Sequence, residues 1–258
     1  MKQFASSLTI LLLTILFLGS CTKDSAKAVD HSGKIKTVSL HNYSAGSTDI
    51  QELFYNDDGT IAKYTYTSPG FPILSTTSFQ YLPGKIRINT VDSLSALMNW
   101  EEDFLNSDGS IDSMIQGGTG PATGALKVIY DQQGKAIEMR NYSFVNPTPS
   151  PFFIQYNTFS NGNLIRTSFT DQQTVLTAEY STHIDNIAGS AGTSKLIRNN
   201  NLVTAWYDIP VPGATPQLHS TLDYTFDSEG RVLTETSRFY HSDGSPNGQV
   251  VSRSFTYY

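Results

Sequence analysis

The residue with the clearest chemical potential is Cys21, the only cysteine among the 258 residues. It follows a positively charged start at Lys2, an apolar stretch over residues 8–18, and the small residues Gly19 and Ser20. This order is that of a secretory signal ending in a small-residue cleavage site. The apolar stretch is shorter than the ~20 residues that a membrane-spanning helix needs. A single thiol in an exported protein has no disulfide partner, so a covalent modification is its most natural use.

The segment Leu18-Gly19-Ser20-Cys21 resembles the lipobox of bacterial lipoproteins. In that family the signal is cleaved before the cysteine, and the thiol carries a diacylglycerol. The resemblance implies a signal peptide over residues 1–20, lipidation of Cys21 and membrane contact through that lipid. Residues 21–33 are polar and predict a flexible tether, which leaves 34–258 as a single domain. The implied location is the cell envelope, as an outer-membrane lipoprotein facing either the periplasm or the exterior.

Other catalytic or metal-binding patterns are missing from the sequence. No two histidines have the spacing of metal ligands, and Gly118-Thr-Gly120 has no helix after it that could form a dinucleotide site. Aligning Asn106–Asp112 with a calcium loop puts Phe104 and Ile115 where acidic ligands should stand. We therefore expect no enzyme, no catalytic residue, no metal and no cofactor. The histidines are His31, His41, His183, His219 and His241.

Two short segments combine aromatic residues with acids. They are Trp100-Glu-Glu-Asp103 and Trp206-Tyr207-Asp208. Trp100, Trp206 and Tyr207 could stack on a sugar ring, or they could be packing residues of a sheet. Glycoside hydrolysis requires two carboxylates at a set separation in space, which neighbours in sequence do not establish.

Composition and charge exclude one class of partner. The chain has 17 Lys and Arg against 23 Asp and Glu, for a net charge of −6, and no basic block. Nucleic acid is therefore not expected, because phosphate binding needs clustered cations. Abundant Ser, Thr, Asn and Tyr are typical of strands and turns.

A repeated pattern organises the chain from residue 35 onward: an aromatic residue ends a strand, a polar turn follows, and then come glycine, a polar residue and an apolar one. Gly59, Gly84, Gly109 and Gly134 are each 25 residues apart, which suits one β-hairpin per repeat. Glycine supplies the positive φ of a hairpin turn without strain. The pattern predicts an all-β antiparallel meander of about 15 strands, forming a large curved sheet or a barrel-like shell. Its copies are Tyr55–Ile61, Tyr81–Ile86, Leu105–Ile111, Tyr130–Ala136, Phe159–Leu164 and Phe226–Val232.

The turns at 130–135 and 226–231 resemble the tyrosine-aspartate repeats of the Rhs family, which build hollow β shells. The arrangement of lipobox, tether and hairpins resembles Bacteroidetes lipoproteins of unknown function that are described as porin-like in fold. This second resemblance covers nearly all of the mature chain, and it implies no catalytic residues.

The Bacteroidetes resemblance makes one modification relevant. In that phylum, glycans are attached to exported proteins at Asp followed by Ser or Thr and then a small apolar residue or Thr. The matches place possible O-glycosylation at Ser25, Ser93 and Ser113. Ser25 is the best candidate because it lies in the predicted tether; an unmodified serine is the alternative at each position.

The leading hypothesis is a lipid-anchored, non-enzymatic envelope protein that binds or scaffolds, with a glycan or a partner protein as ligand. A secreted polysaccharide-acting hydrolase and a purely structural envelope protein are the alternatives. A transmembrane barrel is not favoured, because such strands need an apolar outward row. Neither row of 135–144, one with Glu138 and Arg140 and the other with Lys135 and Asn141, is uniformly apolar.

Overall fold

The structure is a computed structural model that describes residues 30–42, 46–69, 71–144, 151–170, 175–185, 187, 196–197, 199–210 and 213–258. The fold described below is that of the unit His31–Tyr258. The predicted signal peptide and most of the tether, with Cys21 and Ser25, lie outside the described residues. No helix in the described part of the chain is long and apolar enough to cross a membrane.

Sixteen β-strands make up the described part of this unit. The strands are β1 Ile35–Asn42, β2 Ser47–Tyr55, β3 Ile61–Ser68, β4 Phe71–Leu82, β5 Lys85–Asp92, β6 Leu97–Leu105, β7 Ile111–Gly117, β8 Ala122–Tyr130, β9 Ala136–Ser143, β10 Pro151–Ser160, β11 Asn163–Phe169, β12 Val175–Ile184, β13 Asn201–Ile209, β14 Gln217–Phe226, β15 Val232–Tyr240 and β16 Pro246–Tyr257.

The strands form a closed barrel in which each pairs with its neighbours in the chain. Antiparallel pairing of β1 with β16, for example Val38 opposite Phe255, closes the cylinder. The predicted antiparallel meander is confirmed, with sixteen strands instead of about fifteen. Of the predicted shapes, the structure adopts the barrel, which leaves no unpaired sheet edge.

The repeated glycine turns all lie at one end of the barrel, which we call the turn end; the opposite end is the open end. Each of these glycines has positive φ, for example +82° at Gly59 and +83° at Gly109. Asp58 locks its turn by accepting the backbone N–H of Thr60 at 2.9 Å and its hydroxyl at 2.6 Å. Asp131 binds the N–H of Lys135 at 2.8 Å. The turn chemistry predicted from the sequence is therefore confirmed.

We expect Gly109→Val to lower the free energy of unfolding by about 1–2 kcal/mol, because valine is strained at positive φ. A Cβ atom at Gly109 would meet nothing within 4 Å, so the cost would be conformational alone. Gly120→Val is the matched control, since that position has equal space and no positive φ. Urea denaturation measures both; equal losses would show that the φ angle is not the cause.

A set of tyrosine hydroxyls ties neighbouring strands together near the turn end. Tyr55 donates to the carbonyl of Ile35 at 2.8 Å, which is the first residue of the adjacent strand. Tyr130 makes the same bond to Ile111 at 2.8 Å. Each bond satisfies a backbone acceptor that would otherwise be left at the end of a strand. Further bonds of this kind join Tyr81 to Ile61, Tyr180 to Leu164, Tyr224 to Val203 and Tyr257 to Val232.

These tyrosines should make the barrel sensitive to alkali. Burial raises the pKa of Tyr55 to about 12, and burial likewise raises the pKa of Tyr130 and Tyr224. The unfolded chain ionises near pH 10, so the stability that the neutral hydroxyls contribute is complete below about pH 10 and is lost towards pH 12. The urea midpoint should fall over this window, and less steeply for Tyr55→Phe. A midpoint independent of pH up to 12 would contradict the prediction.

The turn end is filled by apolar side chains from opposite walls. One buried cluster joins strands around the closing pair and includes Leu53, Leu202 and Val232. Ile187, in the connection between β12 and β13, packs against this cluster. Residues of the same connection also pack against a second cluster on β8 and β9, which lies across the barrel. These residues are Leu196 and Ile197. The described part of this connection therefore contacts both walls of the barrel at the turn end, and we call its residues Ile187, Leu196 and Ile197 the plug.

Candidate binding site in the barrel interior

Alternation along each strand places every second side chain inside the barrel. On β1, Val38 and Leu40 face inward, and their partners across the sheet on β2 are Gln51 and Asp49. Going the other way around the barrel, Leu40 is registered with Arg253, and Arg253 with Glu235. Polar side chains from sequence positions almost 200 residues apart are thus brought onto one interior surface.

An ion pair with a buried carboxylate lies on this surface. Arg253 donates from Nε and from a terminal guanidinium nitrogen to the same carboxylate oxygen of Glu235, at 2.9 and 2.5 Å. The Glu235 side chain is only 4% exposed, whereas that of Arg253 is 38% exposed. The Glu235 carboxylate is therefore covered by the Arg253 guanidinium, and the guanidinium is the charged group exposed to the cavity.

A second carboxylate, Asp49, lies nearer the open end. Hydrogen bonds from the side chains of Ser68 and Tyr66 lower its pKa. The same bond from Tyr66 raises the pKa of that phenol to about 12. At neutral pH this group is an ionised acceptor beside a neutral hydroxyl and an aromatic ring.

These groups line one cavity of about 570 Å³ in the half of the barrel towards the open end. The volume lies within the range of ~300–1,000 Å³ that small-ligand pockets occupy. Hydrogen-bonding side chains alternate with the rings of Tyr64, Tyr66 and Phe239 around its wall. The remaining lining residues are Val38, Leu40, Asp49, Gln51, Ser75, Thr77, Thr90, Asn99, Glu235, Ser237, Val251 and Arg253.

This chemistry suits recognition of a polar, largely neutral molecule. Carboxylate and amide oxygens accept hydrogen bonds from hydroxyls, the guanidinium donates them, and aromatic rings cover apolar faces. A saccharide presents all three kinds of surface. Asp49 and Glu235 do place two carboxylates in one cavity, the arrangement that a hydrolase would need. However, Glu235 is committed to Arg253 and the pKa of Asp49 is lowered, whereas a general acid requires a raised pKa.

The outer wall of the barrel carries polar and charged pairs among its apolar residues. Thr37 and Thr256 share an exposed hydrogen bond of 2.6 Å between their hydroxyls. Lys85 and Glu102 form an ion pair of 3.0 Å on another part of the circumference. Further ion pairs on the wall are Lys127 with Asp112, Arg140 with Glu138, and Arg238 with Asp223. A barrel embedded in lipid would instead show an apolar outward band.

The predicted stacking residues do not come together. Trp100 packs across Gly117 and donates its indole N–H to Gly120 at 3.1 Å. Trp206 is registered with the buried Ser220, so it points into the barrel, seven strands away. Tyr207 follows it and points outward, where it hydrogen-bonds the exposed Glu179. A stacking role for any one of these residues stays a prediction.

Two of the three candidate glycosylation sites lie among the described residues. Ser93 is exposed in the turn after β5, where Asp92 binds the N–H of Leu94 at 2.8 Å. Ser113 is half-buried in β7 and donates to Asp112 at 3.0 Å. Ser93 therefore has the more accessible hydroxyl. Modification at either site stays a prediction.

No group of three or more His, Cys, Asp or Glu in the described part of the chain could hold a metal ion.

The interior residues that sequence reasoning missed are Asp49, Tyr66, Glu235 and Arg253. One signal could have found part of this set. Glu235 is the single charge on the inward row of β15, where it alternates with Ser237 and Phe239, and such a charge on an interior row requires a partner.

Two solved structures share this fold. A porin-like protein from Bacteroides uniformis ATCC 8492 superposes with a TM-score of 0.66 at 16% identity, covering 88% of this chain and 98% of that one. A porin-like protein from Bacteroides vulgatus ATCC 8482 gives a TM-score of 0.56 at 13% identity, covering 87% and 98%. At these identities the likeness establishes the porin-like β fold alone.

The other comparisons add no support for a family. A TcdB2–TccC3 structure aligns with a TM-score of only 0.26 over 13% of its chain, which is too low to bear on the Rhs resemblance. No protein family matches the sequence, and no curated protein matches it either. The lipoprotein and Rhs resemblances therefore stay predictions.

Proposed function

We propose that the protein is a lipid-anchored binding protein of the bacterial envelope whose cavity towards the open end takes a saccharide. The observation that carries this proposal is the cavity of about 570 Å³ lined by Asp49, Tyr66 and the Glu235–Arg253 pair. A purely structural envelope protein would have no reason to place a buried carboxylate beside a ligand-sized space, because a buried charge is costly to desolvate.

Two features argue that this porin-like fold does not work as a membrane channel. The polar and charged pairs on the outer wall would be costly to bury in lipid. The plug residues Ile187, Leu196 and Ile197 pack against the two walls inside the barrel and narrow the passage along its axis. A barrel that lies in water beside the membrane, attached through a lipid on Cys21, is compatible with both the charged pairs on the outer wall and the plug residues inside.

The direction of the chain fits this arrangement. The chain enters the barrel at the turn end, where Lys34 binds the Gly59 carbonyl at 2.7 Å and β1 begins. The ligand cavity lies towards the opposite end. The first strand therefore begins at the end of the barrel opposite the ligand cavity.

The binding proposal is tested with the full chain on an array of envelope and dietary oligosaccharides, followed by calorimetry with the best-binding oligosaccharide. We expect Asp49→Asn and Tyr66→Phe each to weaken binding by about tenfold, which corresponds to ~1.4 kcal/mol for one hydrogen bond. Asp223→Asn, on the exposed outer wall, should leave affinity unchanged.

Absence of binding to every oligosaccharide, or affinity unaffected by Asp49→Asn, would contradict the proposal. The same samples decide between binding and hydrolysis. Shortened oligosaccharides that accumulate with the native chain and not with Asp49→Asn would establish the hydrolase alternative.

Anchoring is tested separately in the native host. Cys21→Ser should abolish acylation and release the protein from the membrane fraction, or leave it misprocessed. The outer-wall variant Asp223→Asn is the control, because it leaves the leader intact. Normal cleavage and membrane fractionation of Cys21→Ser would show that the lipoprotein interpretation is wrong.

A further inference from the structure

A second cavity, of about 580 Å³, lies inside the barrel at the turn end. It occupies the side of the barrel between β3 and β10, while the apolar cluster around Leu53 fills the other side. Its walls include Ile61, Phe79, Ile86 and Leu105, and Leu196 of the plug forms part of the lining. In volume it matches the cavity towards the open end; its inner walls are apolar, and the turns at its end contribute polar side chains.

The tyrosines that line this cavity present rings to it. The hydroxyl of Tyr81 is used on the carbonyl of Ile61 at 3.1 Å, and that of Tyr130 on the carbonyl of Ile111 at 2.8 Å. Both hydroxyl groups therefore donate to the backbone, and burial raises the pKa of both phenols. These two residues therefore contribute mainly aromatic surface to the cavity.

The mouth of the cavity is formed by the two turns that follow β6 and β8. Lys135 stands in the second turn, where its ammonium group donates to the Gly162 carbonyl at 3.0 Å and lies 5.6 Å from the centre of the Phe159 ring. Asp108, in the first turn, directs its carboxylate to the N–H and hydroxyl of Ser110. The Lys135 ammonium group therefore lies beside the apolar wall of the cavity, whereas the Asp108 carboxylate is hydrogen-bonded within its own turn.

The inner part of this space, among Ile61, Ile86 and Leu105, gives water few partners and suits an alkyl chain, while the polar residues of the turns suit a head group. We propose that this cavity binds a single-chain anionic amphiphile, with its alkyl chain among Ile61, Ile86 and Leu105 and its acidic head group at Lys135. This site goes beyond the saccharide site proposed above: it uses other residues, the other end of the barrel and a different class of ligand. The two proposals can therefore fail independently.

The test uses the full chain and displacement of the fluorescent fatty acid cis-parinarate by palmitate. We expect saturable binding that Ala136→Leu weakens at least tenfold, because Ala136 is buried and its side chain lines the cavity. Ala125→Leu is the matched control, since Ala125 is registered with Tyr142 on the outer wall. Circular dichroism and thermal unfolding check that both variants fold.

If Ala136→Leu does not fold, a substitution of the cation at the cavity tests the same site. Lys135→Gln retains the backbone bond of the turn and removes the cation. It should weaken palmitate binding several-fold and leave binding of the uncharged hexadecanol unchanged. Lys63→Gln, whose ammonium lies over Phe54 on the outer wall, should change neither.

A third probe, lysophosphatidylglycerol, separates the two sources of such a ligand. Tighter binding of palmitate identifies a free fatty acid, and tighter binding of the lysolipid identifies a membrane lipid; either supports the site. Failure of both probes to displace parinarate overturns the proposal. It is equally overturned if palmitate binds and neither folded variant, Ala136→Leu nor Lys135→Gln, alters its affinity.

Discussion

Replacing Arg253 by methionine is expected to lower the free energy of unfolding by about 3 kcal/mol, because it leaves a buried carboxylate without its counter-charge. The Glu235 side chain is 4% exposed and receives two hydrogen bonds from Arg253. The expected loss is at the lower end for a buried pair, since Arg253 is itself 38% exposed to the cavity. Chemical denaturation of the purified protein measures the change.

The reciprocal variant should behave differently. Glu235→Gln leaves a guanidinium that solvent in the cavity can hydrate, and we expect a loss of only about 1 kcal/mol. The double variant Glu235→Gln with Arg253→Met should be more stable than Arg253→Met alone, since no buried charge remains. Equal losses for the two single variants would show that burial of Glu235 does not dominate the energetics of the pair.

The second large effect is expected in the apolar cluster at the turn end. Leu53 is completely buried, and its truncation in Leu53→Ala should cost about 3 kcal/mol through lost burial and the cavity left behind. Its cluster contacts Ile187, so the substitution also weakens the packing of Ile187 inside the barrel. Urea denaturation measures the loss of stability.

Leu233→Ala provides the matched control. Leu233 is 38% exposed, and its substitution should cost less than about 1 kcal/mol. A similar loss for both variants would mean that the cluster at the turn end does not dominate the stability of the barrel.

The fold was predictable because each hairpin is specified by a short stretch of sequence. Glycine at a fixed place after an aromatic residue specifies a hairpin, and a succession of hairpins specifies a meander. The same signal occurs once more at the open end, where Asp243 binds the N–H and hydroxyl of Ser245 beside Gly244 at φ +81°. Sequence reasoning missed this copy because Pro246 stands where the pattern has an apolar residue.

The interior site was not predictable in the same way. Asp49 and Arg253 meet because β1 pairs with both β2 and β16, and closure of the barrel is a property of the whole sheet. No local spacing reports that the first and last strands are neighbours. One correction was available from sequence: Trp206 and Tyr207 are consecutive in a predicted strand, so alternation alone puts them on opposite faces.

The pairing of β1 with β16 also determines how the molecule can be assembled. Fifteen of the strand pairs join neighbours in the chain and can form as each hairpin becomes available, whereas this last one must wait for the final strand. Until then two strands with free hydrogen-bonding edges coexist on one chain, a state prone to pair with other chains. Strand β16 therefore closes the barrel, and its loss would expose the hydrogen-bonding edges of both β1 and β15.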